Sequence, residues 1–152
     1  MSNKKAQGAT EYLIILAVVI IVALIVVGAM GLIPGIGSGA KQKASSAFWQ
    51  TSDVAIPSYA LSAAGGNITM DVRNNQKDSM SSLTLSVGGT SATCDRTSLA
   101  AGQTTTCVVT KSCAAAGNSF SYPVSIGYTD DATSASYTYT GEGHKLDGKC
   151  AN

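Results

Sequence analysis

The sequence predicts an α+β chain: a long hydrophobic N-terminal α-helix followed by a small antiparallel β-sandwich. Three observations carry that expectation. Tyr12 to Ile33 passes without a charge. From Thr51 onward the chain changes to short apolar-alternating runs broken by turn residues. All four cysteines fall after the apolar segment. At 152 residues the chain has room for one domain, or a domain with an appendage. Setting residues 1–50 aside leaves about a hundred, enough for a small sandwich with a thin core.

The first element is the apolar helix. Tyr12 to Val27 is apolar on every side, and such a helix is buried or lies in a membrane. The uncharged run of 22 residues reaches roughly 33 Å as a helix, enough for a bilayer core. Its Val and Ile residues are mediocre helix formers in water, but lipid forces the backbone to satisfy itself. A lone carboxylate, Glu11, stands at the mouth of this run, where a membrane segment normally excludes charge.

The second feature is an interruption. Gly31 to Gly39 contains Pro34 and the glycines Gly35 and Gly37, so a hinge is expected near 31–39. Proline removes a backbone donor and clashes with the preceding turn, and glycine weakens a helix. Ala40 to Gln50 is again compatible with helix, with Phe48 and Trp49 able to dock onto the following domain.

The remaining elements are strands. Candidates are 58–62, 67–74, 82–87, 91–94, 104–111, 120–128 and 134–139, punctuated by Gly65-Gly66, Gly88-Gly89, Ala101-Gly102 and Asp130-Asp131. Ile68, Met70 and Val72 alternate, as do Leu83, Leu85 and Val87, which implies one buried face per sheet. Regular short strands of this kind suggest an immunoglobulin-like sandwich.

Cys94, Cys107, Cys113 and Cys150 read as two disulfides in an oxidising place. Four cysteines allow three pairings. Cys94 with Cys107 and Cys113 with Cys150 is preferred, because the first closes a short hairpin-like loop and the second ties back the last strand. No CxxC pair and a single histidine, His144, argue against structural zinc. Asn67-Ile68-Thr69 is a glycosylation sequon at Asn67.

Sparse, nearly balanced charge gives no basic patch, so no nucleic-acid partner is expected. No catalytic constellation, phosphate-binding loop or calcium spacing is present, so no enzyme activity, cofactor or metal is expected. His144 lies in a loop-like Gly-Glu-Gly-His-Lys context and reads as a solvated side chain.

Three readings of the N-terminus compete: a secretory signal cut after Ala29, a plain membrane anchor, and a leader cut before the apolar run. The run is longer than a usual signal-peptide core of about 7–15 residues. Lys4-Lys5-Ala6-Gln7-Gly8-Ala9-Thr10-Glu11-Tyr12-Leu13 resembles the class III signal peptide of archaeal type IV pilin-like proteins, of the adhesive pilin type. The resemblance covers residues 4 to about 33, and Ala9 and Ile15 depart from the family's usual Ser and Leu. It implies cleavage between Ala6 and Gln7 by a prepilin peptidase, leaving a leader of residues 1–6. An assembly and transmembrane helix over 7–50 and an extracellular β-domain over 51–152 would follow. Glu11 would then neutralise the new amine of Gln7 on a neighbouring subunit. The implied protein is a homopolymeric surface filament subunit, held in the membrane before the pilus assembly machinery extracts it. Its use would be adhesion. An archaellin-like motility filament and an anchored or secreted binding domain are the alternatives.

Overall fold

A computed structural model describes the backbone of residues 4–31 and 36–152, and the side chains of residues 11–23, 25 and 39–152. Two compact units divide the chain, Met1–Gly37 and Ser38–Asn152.

The first unit holds helix α1, Lys4–Gly31. The second unit begins within helix α2, Ile36–Thr51. Nine strands follow: β1 Val54–Ser62, β2 Asn67–Asn74, β3 Met80–Val87, β4 Thr90–Ser91, β5 Thr93–Cys94, β6 Thr104–Thr110, β7 Ser119–Asp130, β8 Ala135–Tyr139 and β9 Lys145–Lys149.

The expected α+β class, with one long hydrophobic helix ahead of a sandwich, is corrected. Among the residues described with their side chains the chain is mainly β, with 47% strand against 23% helix. Helix is divided between α1 and α2, and α2 from Ser38 on belongs to the β unit. The physical reason is composition: α2 is rich in Ser, Gly, Lys and Gln, and it docks through a few residues instead of continuing the apolar run. Among the described residues no helix is long and apolar enough to cross a membrane.

Two antiparallel sheets build the second unit. One has the order β1-β2-β6-β5; the other has the order β4-β3-β7-β8, with β9 also paired to β7. The successive strand pairs β1–β2, β3–β4, β5–β6 and β7–β8 thus alternate between the two sheets, and the two inner faces meet in a shared core. Alternation decides which side chains enter it. Ile68, Met70 and Val72 come from β2, Leu83, Leu85 and Val87 from β3, and Val124 and Ile126 from β7; all are at most 3% exposed. Asn74, the buried polar residue at the end of β2, donates through Nδ2 to the carbonyls of Asp78 (2.8 Å) and Leu99 (3.1 Å), and its Oδ1 accepts from the Gln76 amide. Those bonds offset the desolvation that an unpartnered amide would suffer.

Both disulfides form, Cys94–Cys107 and Cys113–Cys150. The first is a cross-strand pair, since Cys94 of β5 stands directly opposite Cys107 of β6.

β9 runs along the lower half of β7, with Gly148 opposite Phe120. A Cβ at Gly148 would lie 2.7 Å from Phe120 Cζ and 2.9 Å from Cε1. The absent side chain is what lets the aromatic ring cover the strand. Gly148→Ala is therefore expected to destabilise the unit by about 1–3 kcal/mol through overpacking. The urea midpoint checks it; an unchanged midpoint would mean that the ring swings clear.

Candidate functional site

Two regions contain the residues that the sequence singles out. The first is the start of α1. The Ala6–Gln7 bond lies within this helix, and Gln7 and Glu11 are one turn apart on the same helical face. The Glu11 side chain is exposed. Beyond it Tyr12 to Leu16, Val18 to Val22 and Ile25 are each between 42% and 66% exposed. Contiguous residues cover every side of a helix, so among the described residues of this unit apolar side chains are exposed on every face. Pro34 and Gly35 of the expected hinge lie outside the described residues. Gly37 is inside α2.

The second region is the seat of α2 on the sheets. Trp49 is fully buried and Ser45 is 3% exposed. Both donate to one acceptor, the carbonyl of Lys145 at the start of β9: Ser45 Oγ at 2.8 Å and Trp49 Nε1 at 3.2 Å. Ser45 Oγ also accepts from the Asp147 amide at 3.1 Å. Tyr59 donates to the Asp147 carbonyl at 2.6 Å. At the end of α2 the Asn75 side chain donates to the Ser52 carbonyl at 2.8 Å, which fixes the exit of the helix. Phe48 and Trp49 thus dock on the domain that follows them.

The 3₁₀ turn Gly141–Gly143 closes over the indole. Gly141 has φ +70°, and a Cβ there would lie 2.5 Å from Trp49 Cη2. Glu142 follows with φ 51°. Only glycine fits Gly141, on both counts. His144 is exposed, but its ring stacks on Phe48 with centroids 3.9 Å apart and 18° between planes.

Asn67 opens β2, half-buried, between Ser62 and Thr110, while Thr69 of its sequon is exposed. Among the described residues the one ion pair is Lys77–Asp78, 3.0 Å apart. The hydrogen bond that it donates to Asp78, and then the charge of that carboxylate, hold the Lys77 ammonium above the ordinary lysine range. Both residues sit in the β2–β3 connection. Among the described residues no three His, Cys, Asp or Glu side chains come together as a metal ion would need.

Sequence reasoning finds Trp49 but misses Ser45 and Gly141, whose partners lie about a hundred residues away. Two disulfides place the folded unit in an oxidising environment. Comparison with protein-family models and with curated proteins returns no match.

Proposed function

We propose that the chain is the structural subunit of an archaeal type IV-like surface filament used for adhesion. The single observation that carries this reading is the juxtaposition at the start of α1. A basic pair, Lys4-Lys5, and a small residue, Ala6, precede Gln7; Glu11 follows one helical turn later, directly ahead of apolar side chains exposed on every face. Prepilin peptidase cuts between Ala6 and Gln7, and the membrane shelters the uncharged run Tyr12–Ile33 until assembly.

Packing against identical subunits then replaces lipid around these side chains. Burying the exposed half of each Val, Leu or Ile contributes roughly 1 kcal/mol, so some ten such residues give a strong apolar drive to polymerise. That drive has no direction. Glu11 supplies one, because a carboxylate enters a low-dielectric core at tolerable cost only beside an opposite charge. The new amine at Gln7 of a neighbouring subunit is that charge, and the pair sets the axial register.

Glu11→Ala is expected to leave cleavage and membrane insertion intact and to remove filaments from electron micrographs. Normal filaments from this variant would defeat the register argument. Mass spectrometry of the mature N-terminal peptide is the companion test. A start at Gln7 is expected. A start at Met30 would leave the Ser38–Asn152 unit as a secreted binding module.

A further inference from the structure

We infer that the β unit carries a binding groove for an acidic polysaccharide, with Lys145 as the residue that recognises a sugar carboxylate. The inference rests on the filament reading only for its biological use; the groove is a property of the β unit alone.

β7 is shared by two partners along one edge. β9 pairs with Ser119 to Pro123, and β8 pairs with Ile126 to Asp130. The chain crosses from β8 to β9 through Thr140–His144, so neither strand pairs with Val124 and Ser125. A groove of about 480 Å³ lies at this break. Ser86 and Ser125 line it from the sheet, Gly89 from the β3–β4 hairpin, Thr140 and His144 from the crossing segment, and Lys145 from the start of β9.

The chemistry of the lining is specific. No carboxylate lines the groove, and its charged residue is Lys145. Lys145 is exposed and has no ion-pair partner among the described residues. Its backbone is nevertheless fixed, because its carbonyl accepts from both Ser45 and Trp49. The neighbouring His144 ring is held flat on Phe48, and the His144 amide donates to the Gly141 carbonyl at 2.7 Å. The wall that presents the cation is therefore built before any ligand arrives, which lowers the ordering cost of binding. Three hydroxyls, Ser86, Ser125 and Thr140, match the hydroxyls of a sugar, and the exposed ring of Pro123 offers an apolar surface to the C–H face of a pyranose. Cation, hydroxyls and a small apolar patch together fit a uronate residue better than a neutral sugar or a peptide.

An open groove with one exposed cation binds weakly, in the millimolar range expected of a few polar contacts. Weakness suits a subunit repeated along a polymer, where many linked sites raise the overall avidity by orders of magnitude.

The test is a titration of the full-length, detergent-solubilised, unassembled chain with tri-galacturonate and, separately, with maltotriose, followed by amide NMR shifts. Saturable shifts at Ser86, Ser125 and Lys145 are expected with tri-galacturonate only. Lys145→Gln is expected to weaken binding about three- to fivefold, the range of an exposed ion pair, and Ser125→Tyr is expected to abolish it by filling the groove. A far-ultraviolet spectrum equal to that of the parent chain certifies that each variant is folded. Equal binding of maltotriose, unchanged affinity in Lys145→Gln, or no shifts at these three residues would overturn the inference. Because the chain is unassembled, the result is independent of polymerisation. Filaments without groove shifts would defeat this inference alone, and groove shifts without filaments would defeat the filament reading alone.

Discussion

Replacing Trp49 with alanine is expected to lower the stability of the Ser38–Asn152 unit by about 3–5 kcal/mol, the range for deleting a buried aromatic ring. The indole is wholly buried. It packs edge-on against Phe48 at 5.3 Å and Tyr139 at 6.1 Å, and Gly141 lies against its six-membered ring. Truncation empties that space, and neighbours on two sheets and a helix cannot all move in to fill it. The Lys145 carbonyl keeps its bond from Ser45, so the loss is mainly of packing. For a unit of this size the melting temperature is expected to fall by roughly 10–20 °C. Trp49→Phe, which keeps most of the apolar area, is expected to recover more than half of the loss.

Hydrogen exchange separates two ways in which Trp49→Ala can fail. If α2 opens as its own cooperative piece, its amides lose protection while those of β2, β3 and β7 keep theirs. If α2 and the sheets unfold together, all lose protection equally. The first result is expected, because α2 is attached through the side chains of Ser45, Phe48 and Trp49 and, just past its end, the Ser52 carbonyl, whereas each sheet is held by continuous ladders. It would also remove the bonds from Ser45 and Trp49 to the Lys145 carbonyl, so a loosened α2 and a weakened groove should appear in the same variant.

What could be read in the sequence follows from the range of the interactions. Strands β2, β3 and β6 are legible because alternation of apolar and polar residues is local and strong. β1 starts earlier than expected, at Val54, because Pro57 reads as a break. The register shift between Ala55 and Ser58 takes the proline out of the ladder, where its missing donor does no harm. β9 is missed altogether. Lys145-Leu146-Asp147-Gly148-Lys149 offers one apolar side chain, and its glycine argues against a strand unless Phe120, 28 positions earlier, is known to cover it. The α+β class fails for a related reason. The uncharged run at 12–33 dominates a reading by hydropathy, while nine short strands, each weak alone, make up most of the ordered backbone. The docking of Phe48 and Trp49 is legible from two aromatic residues at the end of a polar helical stretch. Gly141 and the Lys145 carbonyl are not, since nothing local marks them as the seat of an indole. The groove is less legible still, because it exists only where two strands leave a gap beside a third.

Removing the Cys113–Cys150 disulfide as a double alanine variant is expected to destabilise the unit by about 4 kcal/mol. Removing Cys94–Cys107 in the same way is expected to cost about 3 kcal/mol. The ranking comes from loop length: the sequence separations are 37 and 13 residues, and a longer loop releases more entropy to the unfolded chain. Position strengthens the ranking. Cys94 and Cys107 already face each other across β5 and β6, beside a ladder that continues into β2. Cys150 instead sits directly after β9, where the chain stitches the two sheets together. Its amide donates to the Asn118 carbonyl at 2.8 Å and its carbonyl accepts from Gly117 at 2.8 Å, on the side of β7. The next residue, Ala151, bonds to Leu61 and Ala63 on the side of β1. Without the Cys113 link this strap is held by a handful of backbone bonds. Equilibrium unfolding in urea gives the free energies, and hydrogen exchange is expected to show β9 losing protection first. A larger loss from the Cys94–Cys107 variant would mean that the native-state strain of one pair, and not loop entropy, decides the order. Because β9 also supplies the carbonyl on which Trp49 and Ser45 converge, the same variant is expected to loosen α2, coupling the oxidation state of one disulfide to the seating of the helix.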